Sequence, residues 1–108
     1  MAIQHWVQGD TTPLQMLIKD QTNAVVNLTG AAGKFYMRRQ GAIANKVNGT
    51  AIVVTVAASG FCEYRWIGTD IDTAGTYDCE VEITDTAGYL LTTEPVQPFT
   101  LVIRKGLG

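Results

Sequence analysis

Charge is scarce in this sequence, and neither sign dominates. Charged residues make up 17% of the 108 residues, against about 25% in an average soluble protein. Eight Lys and Arg residues against ten Asp and Glu residues leave a formal net charge of −2. A nucleic-acid partner is therefore not expected, because phosphate binding requires clustered basic side chains.

The sequence also lacks a long hydrophobic run. Its longest apolar stretch spans residues 51–58 and is interrupted by Thr55, whereas a membrane-spanning helix needs about 20 apolar residues. The first residues show neither the basic start nor the apolar core of a secretory signal. We therefore expect synthesis in the cytoplasm without a signal peptide, and no membrane partner.

Residue types that carry catalysis or bind metals are few. The one histidine, His5, lies on the first predicted strand, where an ordinary polar role is the simpler interpretation. Cys62 and Cys79 are too far apart for a paired zinc knuckle. In a reducing compartment they are expected to be free, buried thiols, with a mutual disulfide as the open alternative. With no nucleophile elbow or phosphate-binding loop, the sequence predicts a non-enzymatic protein without catalytic, cofactor-binding or metal-binding residues.

One acidic segment begins like a calcium-binding loop. Asp70 and Asp72 occupy its first and third positions, but Ala74 holds the fifth and Val81 the twelfth. Calcium needs more oxygen ligands than this pattern supplies, including a bidentate Glu at the twelfth position. The simpler prediction is a turn in which the Asp side chains accept hydrogen bonds from nearby amides.

A second acidic set alternates along one predicted strand. Asp78, Glu80 and Glu82 therefore share its outer face. This arrangement favours a solvated or partner-facing row over a pair of glycosidase acids. A few basic residues could pair with an acidic neighbour in an assembly: Lys34, Arg38, Arg39 and Lys46.

Hydrophobic residues recur mainly with a period of two, and no useful stretch shows a helical period. Period-two alternation indicates strands with one face in the core and one in water. An Asn48-Gly49 pair is a strong signal for a tight hairpin. The pattern predicts a single all-β domain over 1–108, a sandwich of about seven to eight antiparallel strands once one or two segments are fused. The candidate segments are 3–8, 13–19, 24–28, 34–40, 50–57, 61–67, 76–84, 88–93 and 98–104, with Pro95 and Pro98 at the edge of the last.

The stretch Gly75-Thr76-Tyr77-Asp78-Cys79 resembles the G-x-Y-x-C segment of immunoglobulin domains. In that family the tyrosine hydroxyl bonds back to the preceding loop and forms a tyrosine corner. The resemblance implies that Gly75 permits the turn and that Tyr77 points inward. The cysteine partner expected in segment 13–19 is missing, so the resemblance extends to the sandwich and its corner but not to the disulfide.

A second resemblance covers roughly residues 6–104. The order of several motifs is similar to that of immunoglobulin-like domains in tailed-phage structural proteins, notably the N-terminal domain of the phage baseplate upper protein family. The matching segments are Trp6-Val7-Gln8-Gly9-Asp10, Pro13-Leu14, Val26-Asn27-Leu28-Thr29-Gly30, Phe35-Tyr36-Met37-Arg38, Tyr64-Arg65-Trp66, Asp70 to Asp72, Gly75-Thr76-Tyr77, Glu80 to Thr84 and Asp85 to Gly88.

This resemblance implies an immunoglobulin-like structural component of a tailed bacteriophage virion. Such a subunit would dock in many symmetry-related copies on the capsid, neck, tail or baseplate. Its partners would be other virion proteins and further copies of itself. Four residues are the candidate interface, namely Trp6, Tyr36, Arg38 and Tyr89, since aromatic and Arg side chains are enriched at interface hot spots.

Two alternatives stay open at this point. The tryptophans Trp6 and Trp66 could instead fill the core of the sandwich. A different functional class is a module that binds host-surface carbohydrate, with Trp6 or Tyr89 stacking on sugar rings.

Overall fold

The computed structural model describes residues 3–93 and 100–107. Their regular structure is β-strand apart from one short 3-10 turn, Ala57–Ser59, so the all-β prediction is confirmed. The described strands, in chain order, are β1 Ile3–Val7, β2 Leu14–Leu17, β3 Ala32–Arg39, β4 Val47–Ala51, β5 Val53–Val56, β6 Phe61–Tyr64, β7 Gly75–Thr84, β8 Leu90–Thr93 and β9 Thr100–Arg104.

The strands form two sheets. The larger has the order β1-β9-β7-β3-β4, with β8 also paired to β7, and the smaller has the order β2-β6-β5. In immunoglobulin domains strands C, F and G share one sheet, B, E and D lie in the other, and the variable type extends the first with C′. The order β9-β7-β3-β4 corresponds to G-F-C-C′, and β2-β6-β5 corresponds to B-E-D. The fold is therefore an immunoglobulin-like β-sandwich.

The core lies between the sheets and follows the period-two pattern. On β7 the residues Tyr77, Cys79, Val81 and Ile83 are all buried. The smaller sheet contributes buried side chains at alternate positions of β2 and β6, among them Leu14, Met16, Cys62 and Tyr64. Removing such apolar surface from water is the main favourable term in folding.

The prediction of purely antiparallel strands is wrong for one pair. β1 runs parallel to β9, with Trp6 opposite Ile103. The chain leaves β1 for β2 in the other sheet. No hairpin therefore sets the direction of β1, and it is free to add to the sheet edge in parallel.

Segment 24–28, predicted as a strand, forms only one isolated bridge, between Lys19 and Val25. Its backbone groups are satisfied elsewhere. The Leu28 amide, for example, donates to the carbonyl of Ala57 in the 3-10 turn at 2.8 Å. Buried backbone groups need partners, and here loop contacts supply them in place of a strand ladder.

Segment 50–57, predicted as one strand, contains the end of β4 and all of β5, which belong to different sheets. The chain crosses between the sheets at Ile52, whose amide still donates to the carbonyl of Gly33 at 3.0 Å. Val54 then pairs with Cys62 in the smaller sheet. A continuous apolar alternation cannot reveal this crossing, because it suits the inner face of either sheet.

The Asn48-Gly49 pair is not a hairpin turn. Gly49 lies inside β4 with φ +83°. Tyr36 pairs with Asn48 and Phe35 with Thr50, which leaves Gly49 as an extra residue in the ladder. This is a β-bulge, a feature that also uses the positive φ of glycine. The chain reverses instead in the loop between β3 and β4.

The other predicted strands lie within about three residues of their predicted bounds. The prediction for the last strand is tested only from Thr100 onward. Pro95, Pro98 and Phe99 lie outside the described residues.

Candidate functional site

Tyr77 lies at the beginning of β7 with its ring buried. Its hydroxyl donates to the carbonyl of Thr73, four residues upstream, at 2.8 Å. This is the hydrogen bond of a tyrosine corner. At Gly75 a Cβ atom would lie 2.8 Å from Nε of Arg39, so glycine leaves room there for the Arg39 side chain. The corner anchors the loop before β7 to the core.

Removal of the corner hydroxyl tests this anchoring. Tyr77→Phe is expected to lower the free energy of unfolding by about 1 kcal/mol, because one hydrogen bond is lost and the Thr73 carbonyl must find another partner. Denaturant titration measures the change. Tyr36→Phe is the matched control, since no hydrogen bond of the Tyr36 hydroxyl occurs among the described residues. Equal effects of the two substitutions would contradict the anchoring role.

Trp6 lies in the core, so its prediction as an interface residue is wrong. It is 7% exposed and meets Trp66 edge-on, with ring centroids 5.5 Å apart. Trp66 also packs edge-on against Tyr64 at 5.3 Å. The alternative that Trp6 fills the core is confirmed, because its position opposite Ile103 places it on the inner face of the larger sheet. Its ring is therefore unavailable for stacking on a sugar.

Cys62 and Cys79 are buried free thiols, as predicted. They lie on β6 and β7, one in each sheet. Burial, reinforced by the charge of Glu63, raises the pKa of the Cys62 thiol to about 12. Burial, together with Asp78, also raises the pKa of Cys79. Thiols that resist ionisation are poor nucleophiles, so the role of these two side chains is to pack in the core.

These shifts predict unreactive thiols and a loss of stability at high pH. Native protein should react with Ellman's reagent at least about 100-fold more slowly than unfolded protein, because reaction requires opening. The raised pKa of the buried Cys62 thiol makes its full contribution to folding stability at pH values below about 8.5, the pKa of a thiol in the unfolded chain. This contribution is lost as the pH rises from there toward 12. Cys62→Ala should flatten this alkaline decline in urea titrations. Fast labelling of the native protein would contradict the burial of both thiols.

The carboxylates of the acidic loop before β7 accept hydrogen bonds from other residues of the same chain. Asp70 Oδ2 accepts hydrogen bonds from the Tyr64 hydroxyl at 2.5 Å and the Ile67 amide at 2.9 Å. Asp72 Oδ1 accepts from Lys46 Nζ at 2.6 Å, and this contact lowers the pKa of the Asp72 carboxyl. No group of three or more His, Cys, Asp or Glu side chains able to hold a metal occurs in the described part of the chain. Both carboxylates have structural partners here.

The outer side of the larger sheet carries two facing rows, which we call the charged face. In the antiparallel register of β3 and β7, a basic or aromatic residue lies directly opposite each carboxylate. The pairs are Lys34 with Glu82, Tyr36 with Glu80, and Arg38 with Asp78.

The charged face borders a shallow groove of about 440 Å³. The ring of Tyr36 lies beside Gly49, where a Cβ atom would come within 3.3 Å of the tyrosine hydroxyl. Gln40 Nε2 donates to Asp78 Oδ1 at 3.0 Å. Within the described residues, no ion pair involves any charged side chain of this face. Tyr36 and Arg38 were predicted as interface residues, and the fold brings them together with the acidic row.

The outer side of the smaller sheet carries a different surface. Phe61 pairs with Leu17 on one side and with Val56 on the other. We call these three residues the apolar row. Phe61 is 45% exposed and Val56 52% exposed. Neither residue is a predicted interface residue. Strict alternation with Ile52 and Val54 would place Val56 inward, but a bulge after Val54 turns it outward.

Tyr89 lies apart from the charged face, at the hairpin between β7 and β8. It is 75% exposed, and its amide donates to Asp85 Oδ1 at 2.9 Å. The segment Asp85 to Gly88 forms the turn of this hairpin, since β7 and β8 pair in antiparallel register on either side of it. The length of β7 from Asp78 to Thr84 separates Tyr89 from Arg38 by about 20 Å. The predicted interface residues thus do not form one site.

No protein-family model matches this sequence, and no curated protein sequence matches it significantly. Among the described residues, no helix is long and apolar enough to cross a bilayer.

Proposed function

We propose that this protein is a non-enzymatic structural subunit of a tailed bacteriophage particle, attached in many copies to the capsid, neck, tail or baseplate. The motif order that resembles phage immunoglobulin-like domains supports the assignment to a virion. The structural observation that carries the docking role is the apolar row. Two exposed side chains, Phe61 and Val56, lie in register with the partly buried Leu17 across three strands, and exposed apolar patches of this kind mark protein contacts.

The chemistry of the apolar row favours a lasting contact over a transient one. Permanent interfaces are more apolar than transient ones, and charged residues are depleted at their centres. Val25 extends the apolar surface, since a Cβ atom at Gly60, the residue before Phe61, would lie 2.7 Å from its Cγ1. The occupant we propose is an apolar surface of a capsid or tail protein.

The proposal is tested on particles produced from the genome that encodes this chain. Quantitative mass spectrometry of density-purified particles should find the protein in many copies, and cryo-electron microscopy should show density that disappears when the gene is deleted. Absence from purified particles would refute the proposal. Glycan-array binding without particle association would instead favour a carbohydrate-binding module.

A variant locates the contact. Phe61→Thr keeps a strand-forming residue but removes the aromatic surface. Burial of a half-exposed Phe contributes about 1 kcal/mol, so the affinity of each copy should fall about fivefold. Tyr89→Ser is the matched control, because it removes another exposed ring at a distant hairpin. Loss of particle occupancy with Tyr89→Ser but not with Phe61→Thr would contradict docking through the apolar row.

A further inference from the structure

The charged face is complementary to itself. Its basic and aromatic row lies on β3 and its acidic row on the adjacent strand β7. The two rows are parallel and about 4.8 Å apart, the spacing of neighbouring strands. A surface that carries both signs in separate rows can bind a second copy of the same surface if the symmetry brings opposite rows together.

Only one of the two simple face-to-face arrangements does so. A twofold axis that runs along the strands, between β3 and β7, places β3 of one copy over β7 of the other. Arg38 then faces Asp78 of the second copy, and Lys34 faces Glu82. An axis that runs across the strands places β3 over β3 and sets Arg38 against Lys34, where like charges repel.

We propose that this protein forms a symmetric dimer through the charged face, with the twofold axis parallel to β3 and β7. Each copy contributes the same residues, as a closed twofold interface requires. Tyr36 lies in the centre of this face, between the two pairs of charged residues. Tyr and Arg are the residue types enriched at such centres.

The twist of the sheets is compatible with these pairs. Two packed sheets cross at about 30°, so the strands of each copy lie about 15° from the twofold axis, and the ends of the two five-position rows are displaced by about 3.4 Å. Long Lys and Arg side chains span that displacement. The charged residues of this face have no ion-pair partner among the described residues, so dimerisation breaks no existing ion pair there.

The area of the charged face sets the expected affinity of the dimer. Eight residues of β3 extend about 27 Å, and β3 and β7 together with their neighbours β4 and β9 span about 19 Å, which gives about 500 Å² of sheet per copy around the charged face. Stable complexes bury about 800 Å² per partner, so this dimer belongs to the weak class. It should form at about 100 µM protein in about 50 mM salt and dissociate in about 500 mM salt, where screening shortens the range of charge interactions.

The experiment is sedimentation equilibrium of the purified full chain. Wild-type protein should show the salt-sensitive dimer. Arg38→Glu alone and Asp78→Arg alone should each weaken it at least about tenfold, since each reverses two symmetric contacts. An equimolar mixture of the two variants should recover the dimer, because the two substituted side chains then face each other with opposite charges and the second pair stays native.

The mixture also distinguishes a loss of dimer affinity from a loss of folding stability. Each variant places like charges opposite each other within its own chain, which costs a few tenths of a kcal/mol, and mixing does not relieve this cost. Arg65→Glu is the control, with the same charge change outside the charged face. A monomeric wild type, a dimer unaffected by both single variants, or a mixture that stays monomeric would each overturn the proposal. The result is independent of particle attachment, so the dimer and the proposed function can fail separately.

Discussion

Replacement of Phe35 by alanine is expected to lower the free energy of unfolding by about 3–5 kcal/mol, the usual cost of deleting a buried aromatic ring. Phe35 is 0% exposed and stacks on Tyr64 with ring centroids 4.5 Å apart. It also meets Trp66 edge-on at 6.3 Å. The ring therefore joins β3 of one sheet to β6 of the other, and its loss leaves a cavity at the centre of the aromatic cluster.

Urea unfolding followed by tryptophan fluorescence measures this loss. The control is the next residue on the same strand, Tyr36, which points to the outer face and is half-buried. Tyr36→Ala should cost less than about 1.5 kcal/mol, because less apolar surface returns to water and no closed cavity forms. A smaller effect at Phe35 than at Tyr36 would mean that the inward and outward faces of β3 are assigned incorrectly.

The second large effect is expected at Gly60, which follows the 3-10 turn. Its φ of +75° is unfavourable for alanine, and a Cβ atom would lie 2.9 Å from the Val26 carbonyl oxygen and 3.1 Å from that of Ile18. Backbone atoms cannot move aside as a flexible side chain can. Gly60→Ala is therefore expected to destabilise the protein by about 2–4 kcal/mol, the sum of backbone strain and overpacking.

Gly88→Ala separates these two contributions. Gly88 has a similar φ of +87°, but a Cβ atom there would have nothing within 4 Å. Its substitution should cost only the strain, about 1–2 kcal/mol. Thermal unfolding of the two variants compares them directly. Equal melting temperatures would show that the carbonyls near Gly60 impose no steric limit.

The two surfaces of the sandwich suit different contacts. A contact through the apolar row would gain its binding energy from removal of surface from water, which salt weakens little. The proposed dimer through the charged face would depend on paired charges, which salt screens. Under the two proposals, the subunit attaches to a particle through the apolar row of the smaller sheet and contacts a second copy of itself through the charged face of the larger sheet. Salt dependence therefore distinguishes the two contacts in a single preparation.

Part of this architecture can be predicted from local pattern. The alternation along β7 correctly places Tyr77 and Cys79 inward and Asp78 and Glu80 outward. The turn at Asp85 is predictable because an Asp side chain can accept hydrogen bonds from nearby amides within the same short segment. Each of these signals depends only on residues close together in the chain.

Other features depend on which segments become neighbours. Trp6 turns inward because β1 adds to β9 in parallel, and Gly49 becomes a bulge because of its pairing across from β3. Val56 comes to lie opposite Phe61 because the chain crosses between sheets at Ile52 and leaves β5 beside β6. No pattern within a single segment specifies these pairings.

Alternation in the sequence by itself determined an all-β chain and the inward faces of its main strands, and the resemblance of Gly75-Thr76-Tyr77-Asp78-Cys79 to the immunoglobulin segment implied the tyrosine corner. The tertiary structure alone decided that the basic row of β3 lies against the acidic row of β7, and that three apolar residues line up across the smaller sheet. The physical reason is that side-chain direction along a strand follows from local backbone geometry. Strand order and register, in contrast, arise from contacts between residues far apart in the chain, whose free energies depend on the packing of the whole sandwich.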